Sequence, residues 1–245
     1  MTISTQQQKL SRRAGAALGL AAMLAIAGFT ALGSIFDYPQ ILQEPVDDIL
    51  ATFRDHQVGI MLWFGVLALS AALLAPAGIW IGRLRGDRIG TAIQIVAVAA
   101  SLVQVVGLQR WLTIVPVLAR DALDPAQHDR AAAQFTLWHT VLGKAIGETI
   151  GYALTATFTV LVIIALGRLG LPRWLAVLGF VAAALIATGV LVPVVHGASL
   201  TNFAGYVLWC VWLLVLAAIL LRGRLQRPSR STSDLESVFP RVHRD

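Results

Sequence analysis

Six stretches of this chain are almost unbroken apolar sequence, at about 14–35, 59–82, 89–108, 147–167, 174–195 and 203–221. Each is long enough to cross a hydrocarbon layer of ~30 Å as a helix rising 1.5 Å per residue. None shows the alternation over ~10 residues that marks a lipid-facing β-strand. The pattern predicts an all-α fold, a polytopic membrane bundle of six transmembrane helices over residues 1–222. Residues 223–245 are polar, rich in arginine and broken by proline, and predict a disordered basic tail. The first stretch follows Lys9, Arg12 and Arg13 as a secretory signal would. Its apolar run exceeds the ~7–15 residues of a signal core and no small-residue cleavage site follows, so it reads as a retained helix.

Composition agrees with this pattern. Only 13% of the residues are charged and 57% are hydrophobic, against about 25% charge in a soluble domain. The sequence pI of about 10.4 would suit a nucleic-acid binder, but the basic residues are sorted by side of the bundle instead of clustered. One face receives Lys9, Arg12, Arg13, Arg83, Arg85, Arg88, Arg168, Arg173 and the tail arginines. The other receives Arg54, Arg110, Arg120, Arg130 and Lys144, with an acidic loop containing Asp37, Glu44, Asp47, Asp48 and Asp55. The positive-inside rule makes the first face cytoplasmic, with both termini on it. A single cysteine, Cys210, leaves no intrachain disulfide. Arginine far outnumbers lysine, which occurs only at Lys9 and Lys144. That bias, with abundant alanine and glycine, suggests a GC-rich bacterial genome and hence a bacterial cytoplasmic membrane.

Two of the outer connections predict structure. In EPVDDILATFRDHQ, Pro45 and the early acids suit a helix start, and Ile49, Leu50 and Phe53 form an apolar set. This reads as a short amphipathic helix on the outer surface. In DPAQHDRAAAQ, Asp124 reads as an N-cap and Pro125 as the first helical residue. That helix is expected to run unbroken to residue 167, about 64 Å at 1.5 Å per residue.

Candidate chemistry concentrates in WHTVLGKAIGETIGY, residues 138–152. Counting back about 20 residues from Arg168 places the outer boundary of the hydrocarbon near residue 147. Lys144 and Glu148 then lie close to that boundary and His139 above it. Gln104, Gln109 and Arg110 end the third span at the same level, and His196, Asn202 and Tyr206 flank the fifth and sixth. Ionisable residues at membrane depth usually face a bundle interior or a wet cavity. The expectation is an outward-opening pocket lined by Glu148, Lys144, Arg110, Tyr152, His139 and His196. Structural explanations compete with this one. Lys144 and Glu148 form an i, i+4 pair able to neutralise itself, Lys144 can snorkel to the interface, and Arg110 is the alternative partner for Glu148. His139, His196 and Glu148 lack the spacing of a metal motif, so no metal or cofactor is expected. Gly143, Gly147 and Gly151 form one row, a groove for close packing of another helix within the chain or between subunits. GYALTATF and GYVLWCVW share a G-Y-x-L echo too short to indicate duplication.

HTVLGKAIGETIGYALTATFTVL, RLGLPRWLAVLGFVAA, NFAGYVLWCVWLLVLAAILLR and FDYPQILQEPVDDILATFR resemble a family of multi-pass bacterial membrane proteins, common in actinobacteria and known only as a domain of unknown function. The resemblance implies a membrane location and a multi-helix fold, and brings no catalytic residues. The function expected from the residues is a non-enzymatic membrane component: a sensor, an accessory subunit, or a binder of a lipid or small amphiphile. Its partners would be the bilayer, such a ligand, and a second copy or another membrane protein; nucleic acid is not expected. A secondary transporter is the alternative, although it requires a site near the midplane and polar surface through both leaflets. An intramembrane enzyme acting on lipid or peptide would have to use Glu148 as a lone base.

Overall fold

A computed structural model describes residues 5–192 and 198–223. Among them the regular structure is helical, and six helical runs are long and apolar enough to cross a membrane: Thr5–Phe36, Gln57–Arg85, Arg88–Asp121, His128–Gly167, Arg173–Leu191 and Ala198–Leu221. The chain is a polytopic all-α bundle. The predicted tail beyond Gly223, and His196 with its neighbours, lie outside the described residues.

The first span is one helix, α1 (Thr5–Phe36). The second is divided into α3 (Gln57–Ala72) and α4 (Leu74–Arg85), with the step at Leu73. Pro76 explains the division. It has no N–H to donate, and its ring crowds the carbonyl one turn back. The third span pairs α5 (Arg88–Thr113) with α6 (Val115–Asp121), and Pro116 sits in the first turn of α6. The fifth consists of α9 (Arg173–Ala187) continued by one 3₁₀ turn, Thr188–Leu191, and the sixth is α10 (Ala198–Leu221).

The fourth span departs most from expectation. Its helix does not begin at Pro125. Residues 124–127 form a turn in which the Asp124 carboxylate accepts the Ala126 N–H at 2.9 Å, and α7 runs over His128–Trp138. Asp124 therefore closes a turn ahead of the helix, and its carboxyl is held below the usual range, first by that N–H and then by Gln127. From His139 to Ile150 the helix widens to a π-helix, and α8 (Gly151–Gly167) resumes the α form. The Thr149 hydroxyl donates to the Lys144 carbonyl, five residues back, at 2.9 Å. Gly143 and Gly147 weaken the α preference here by about 1 kcal/mol each relative to alanine. The π-helix packs along α5.

Each span packs on its neighbours in sequence, and α1 packs on α10, so the six close into a ring. The Ser11 hydroxyl donates to the Leu220 carbonyl at 2.8 Å, which puts the start of α1 and the end of α10 at one end of the bundle. The other end is capped by the short amphipathic α2 (Val46–Asp55), which buries Ile49, Leu50 and Phe53 against Trp111, Leu118 and Phe135. Arg54 donates to the Ala119 carbonyl at 3.0 Å, and His128 meets Asp47 at 3.1 Å, tying α2 to α6 and α7. Leu18, Ile81, Ile93, Phe158, Trp212 and Leu213 fill the half of the ring nearer the termini with apolar packing. The space that remains lies under the cap.

Candidate functional site

The site is built around a cavity of about 550 Å³ in the cap half of the ring. α5 and the π-helix form its back wall. Gly107 of α5 lies directly on Gly147: a Cβ on Gly107 would stand 2.7 Å from the Gly147 Cα. Backbones this close leave no room for side chains between them, so larger residues on either flank turn into the cavity. On one flank the Arg110 guanidinium lies over Gly143. On the other, Gln104 lies over Gly151 and donates to the Thr155 hydroxyl at 2.8 Å.

Arg110 is 4% exposed. One of its terminal nitrogens donates to the Gly107 carbonyl, its Nε has no hydrogen-bond partner among the described residues, and its guanidinium carbon stands 5.3 Å from the Trp111 ring centre. Glu148 shares the wall. Among the described residues its carboxylate has no hydrogen bond, and neither Arg110 nor Lys144 comes within 4.0 Å of it. This settles the two pairings that the sequence left open: Glu148 is bridged to neither cation. The two charges on the wall nonetheless feel each other electrostatically.

Tyr152 lies one turn beyond Glu148 and meets Tyr206 of α10 edge-on, ring centres 5.7 Å apart. Asn202 of α10 donates to the Ile186 carbonyl at 2.8 Å, fixing α10 against α9. The roof comes from the loop after α1. Asp37 takes a left-handed φ of 47°, which aspartate tolerates better than most residues, and the chain turns back so that Tyr38 lines the cavity. The Tyr38 ring packs edge-on against Phe64 at 5.3 Å. Burial, followed by the Glu148 carboxylate, raises the Tyr38 phenol above its ordinary value, while Arg110 acts in the opposite sense.

Three of the six expected pocket residues, Arg110, Glu148 and Tyr152, therefore lie on one cavity wall. Two do not. Lys144 is exposed on the outer surface of the π-helix and is not on the cavity wall. His139 is buried against the Phe135 ring, which it stacks on at 5.7 Å, with neither ring nitrogen hydrogen bonded to a described residue. His196 falls outside the described residues. Tyr38 carried no signal in the sequence, because only the fold of its loop brings it inward. No group of three or more His, Cys, Asp or Glu side chains converges among the described residues.

The wall opposite the π-helix is a seam between α1 and α10. Near the termini the seam is shut: a Cβ on Gly15 would stand 2.9 Å from the Ala217 carbonyl oxygen. In the cap half, Ile26, Phe29 and Thr30 of α1 and Phe203 and Val207 of α10 line the cavity. Ile26, Phe203 and Val207 are also 41, 48 and 52% exposed on the outside of the ring. The cavity therefore has a charged back wall and an apolar side that reaches the outer surface of the bundle. Below Leu74 and Trp209 it gives way to packed apolar core. Trp209 donates to the Thr159 hydroxyl, which donates to the Thr155 carbonyl, both at 2.8 Å.

Residues 14–217 match the model of a domain of unknown function, DUF4386. No curated protein and no solved structure matches the chain. The chain belongs to the DUF4386 family.

Proposed function

We propose that this DUF4386 chain is a non-enzymatic component of a bacterial cytoplasmic membrane that binds a lipid or small amphiphile in the cavity under its cap. The cap end faces outward and the arginine-rich end faces the cytoplasm, following the positive-inside rule. The observation that carries the reading is the pairing of a charged wall, Arg110 and Glu148, with an apolar seam that reaches the lipid-facing surface. A water-soluble ligand has no use for exposed Ile26, Phe203 and Val207 at its entrance. An amphiphile uses both parts.

The competing classes have less support. Transport would require the packed core around Phe158 and Trp212 to part, and those side chains are 1 and 0% exposed. Catalysis would require a nucleophile with a base, a metal cluster or paired acids, and among the described residues Glu148 is the sole carboxylate on the cavity wall.

The test is native mass spectrometry of the detergent-purified chain, comparing wild type with Glu148→Gln. The expected result is a defined co-purifying amphiphile on wild type that is depleted on the variant. Identical, ligand-free spectra for both would remove the reading.

A further inference from the structure

The ligand class can be narrowed from the two charges on the wall. Arg110 is buried and, among the described residues, has no carboxylate partner and an unsatisfied Nε. A buried guanidinium without an anion is costly, and its planar fork favours phosphate or carboxylate oxygens. Glu148 has the reverse need, because an ionised carboxylate only accepts hydrogen bonds. Lys144, one turn away, does not satisfy it. The two charges lie more than 4.0 Å apart yet within electrostatic reach of each other. Neither charge is taken up by the other, so a group carrying both an anion and a donor cation can address both.

We propose that the cavity takes the headgroup of a phospholipid bearing a primary ammonium beside its phosphate, with the phosphate toward Arg110 and the ammonium toward Glu148. This rests on the amphiphile-binding reading above and adds headgroup selectivity to it. A purely anionic headgroup would satisfy Arg110 but set negative charge against Glu148. A quaternary ammonium has no N–H to offer. The volume of about 550 Å³ accommodates a headgroup and the first part of its chains. The remaining chain length lies along the seam past Ile26, Phe203 and Val207, where the bundle already exposes apolar side chains.

The experiment exchanges full-length wild-type protein into micelles containing equal amounts of phosphatidylethanolamine, phosphatidylcholine and phosphatidylglycerol, and counts bound lipids by native mass spectrometry. One charge-assisted hydrogen bond to Glu148 sets the scale, so phosphatidylethanolamine is expected to exceed each of the others by about tenfold. Glu148→Gln should abolish the preference over phosphatidylcholine, and Arg110→Gln should lower retention of all three. The competition on wild type needs no variant, so a misfolded mutant leaves the proposal open to refutation. Equal retention of the three lipids, or preference for phosphatidylglycerol, overturns the headgroup assignment while leaving the cavity reading in place. Retention of no lipid overturns both. Displacement of bound lipid by free phosphoethanolamine at equal concentration would assign the site to a soluble zwitterion and overturn the lipid proposal.

Discussion

Gly107 and Gly147 touch backbone to backbone. A Cβ on either would stand 3.0 Å or less from the other's Cα. The neighbouring atoms are main chain, so they cannot rotate away as a side chain would.

Gly107→Ala must therefore push α5 and the π-helix apart. Overpacking of this kind costs about 1–3 kcal/mol. The expected outcome is a lower melting temperature in detergent and, because the cavity wall moves with the helices, weaker lipid retention. Gly167→Ala is the control: a Cβ there meets nothing within 4 Å, and its melting temperature should match wild type.

Phe53 anchors the cap. It is 0% exposed and its ring centre lies 6.0 Å from that of Trp111. Phe53→Ala should cost about 3–5 kcal/mol at a site that cannot collapse. Hydrogen exchange should show the loss first in α2 and in the loop carrying Tyr38, and later in α8 and α9.

Asp87 caps α5 at the arginine-rich end, accepting the Gly90 N–H at 3.0 Å. That bond first, and then Arg85, lower its carboxyl below the ordinary value. The folded-state pKa is thus below the unfolded one. The cap's contribution is complete above the ordinary carboxyl range and is lost as pH falls through the lowered folded value. Melting curves of wild type and Asp87→Asn should differ at neutral pH and converge in acid.

Lys144 and Glu148 are adjacent in the helix, yet only Glu148 lies on the cavity wall. Lys144→Ala should leave thermal stability within about 0.5 kcal/mol of wild type, as an exposed substitution does. An effect as large as that of Glu148→Gln would show that the two act as a pair.

Cys210 is the single cysteine of the chain and lines the cavity. A small neutral maleimide is expected to modify it slowly in lipid-depleted protein, and more slowly once lipid is restored. Labelling unaffected by lipid would place the ligand elsewhere.

The six spans were legible because length and hydropathy alone select them, and the lipid requires both. Details of the connections were not. α6 carries Arg120 and Asp121 and lies beyond the apolar run of span three, so no hydropathy pattern announced it. The division at Leu73 follows from Pro76, but a proline within an apolar helix also permits a simple bend. The π-helix was hidden because glycines four apart are compatible with either turn width over 12 residues. At the site, Arg110 and Glu148 stood out because charge at membrane depth is expensive. Tyr38 did not, since a tyrosine near a membrane boundary is ordinarily read as part of an aromatic belt. An outward opening was expected from the sequence; that α1 and α10 line the cavity's apolar side was not readable, because it depends on which two helices close the ring.

Those two are α1 and α10, whose contact begins with Ser11 and Leu220. During synthesis α10 emerges after every other described helix. Without α10 the ring is an arc, and the cavity lacks the wall that carries Phe203 and Val207. The cavity is thus completed only where the two spans farthest apart in the sequence meet, and its apolar side is the part of the ring that no connecting loop holds shut.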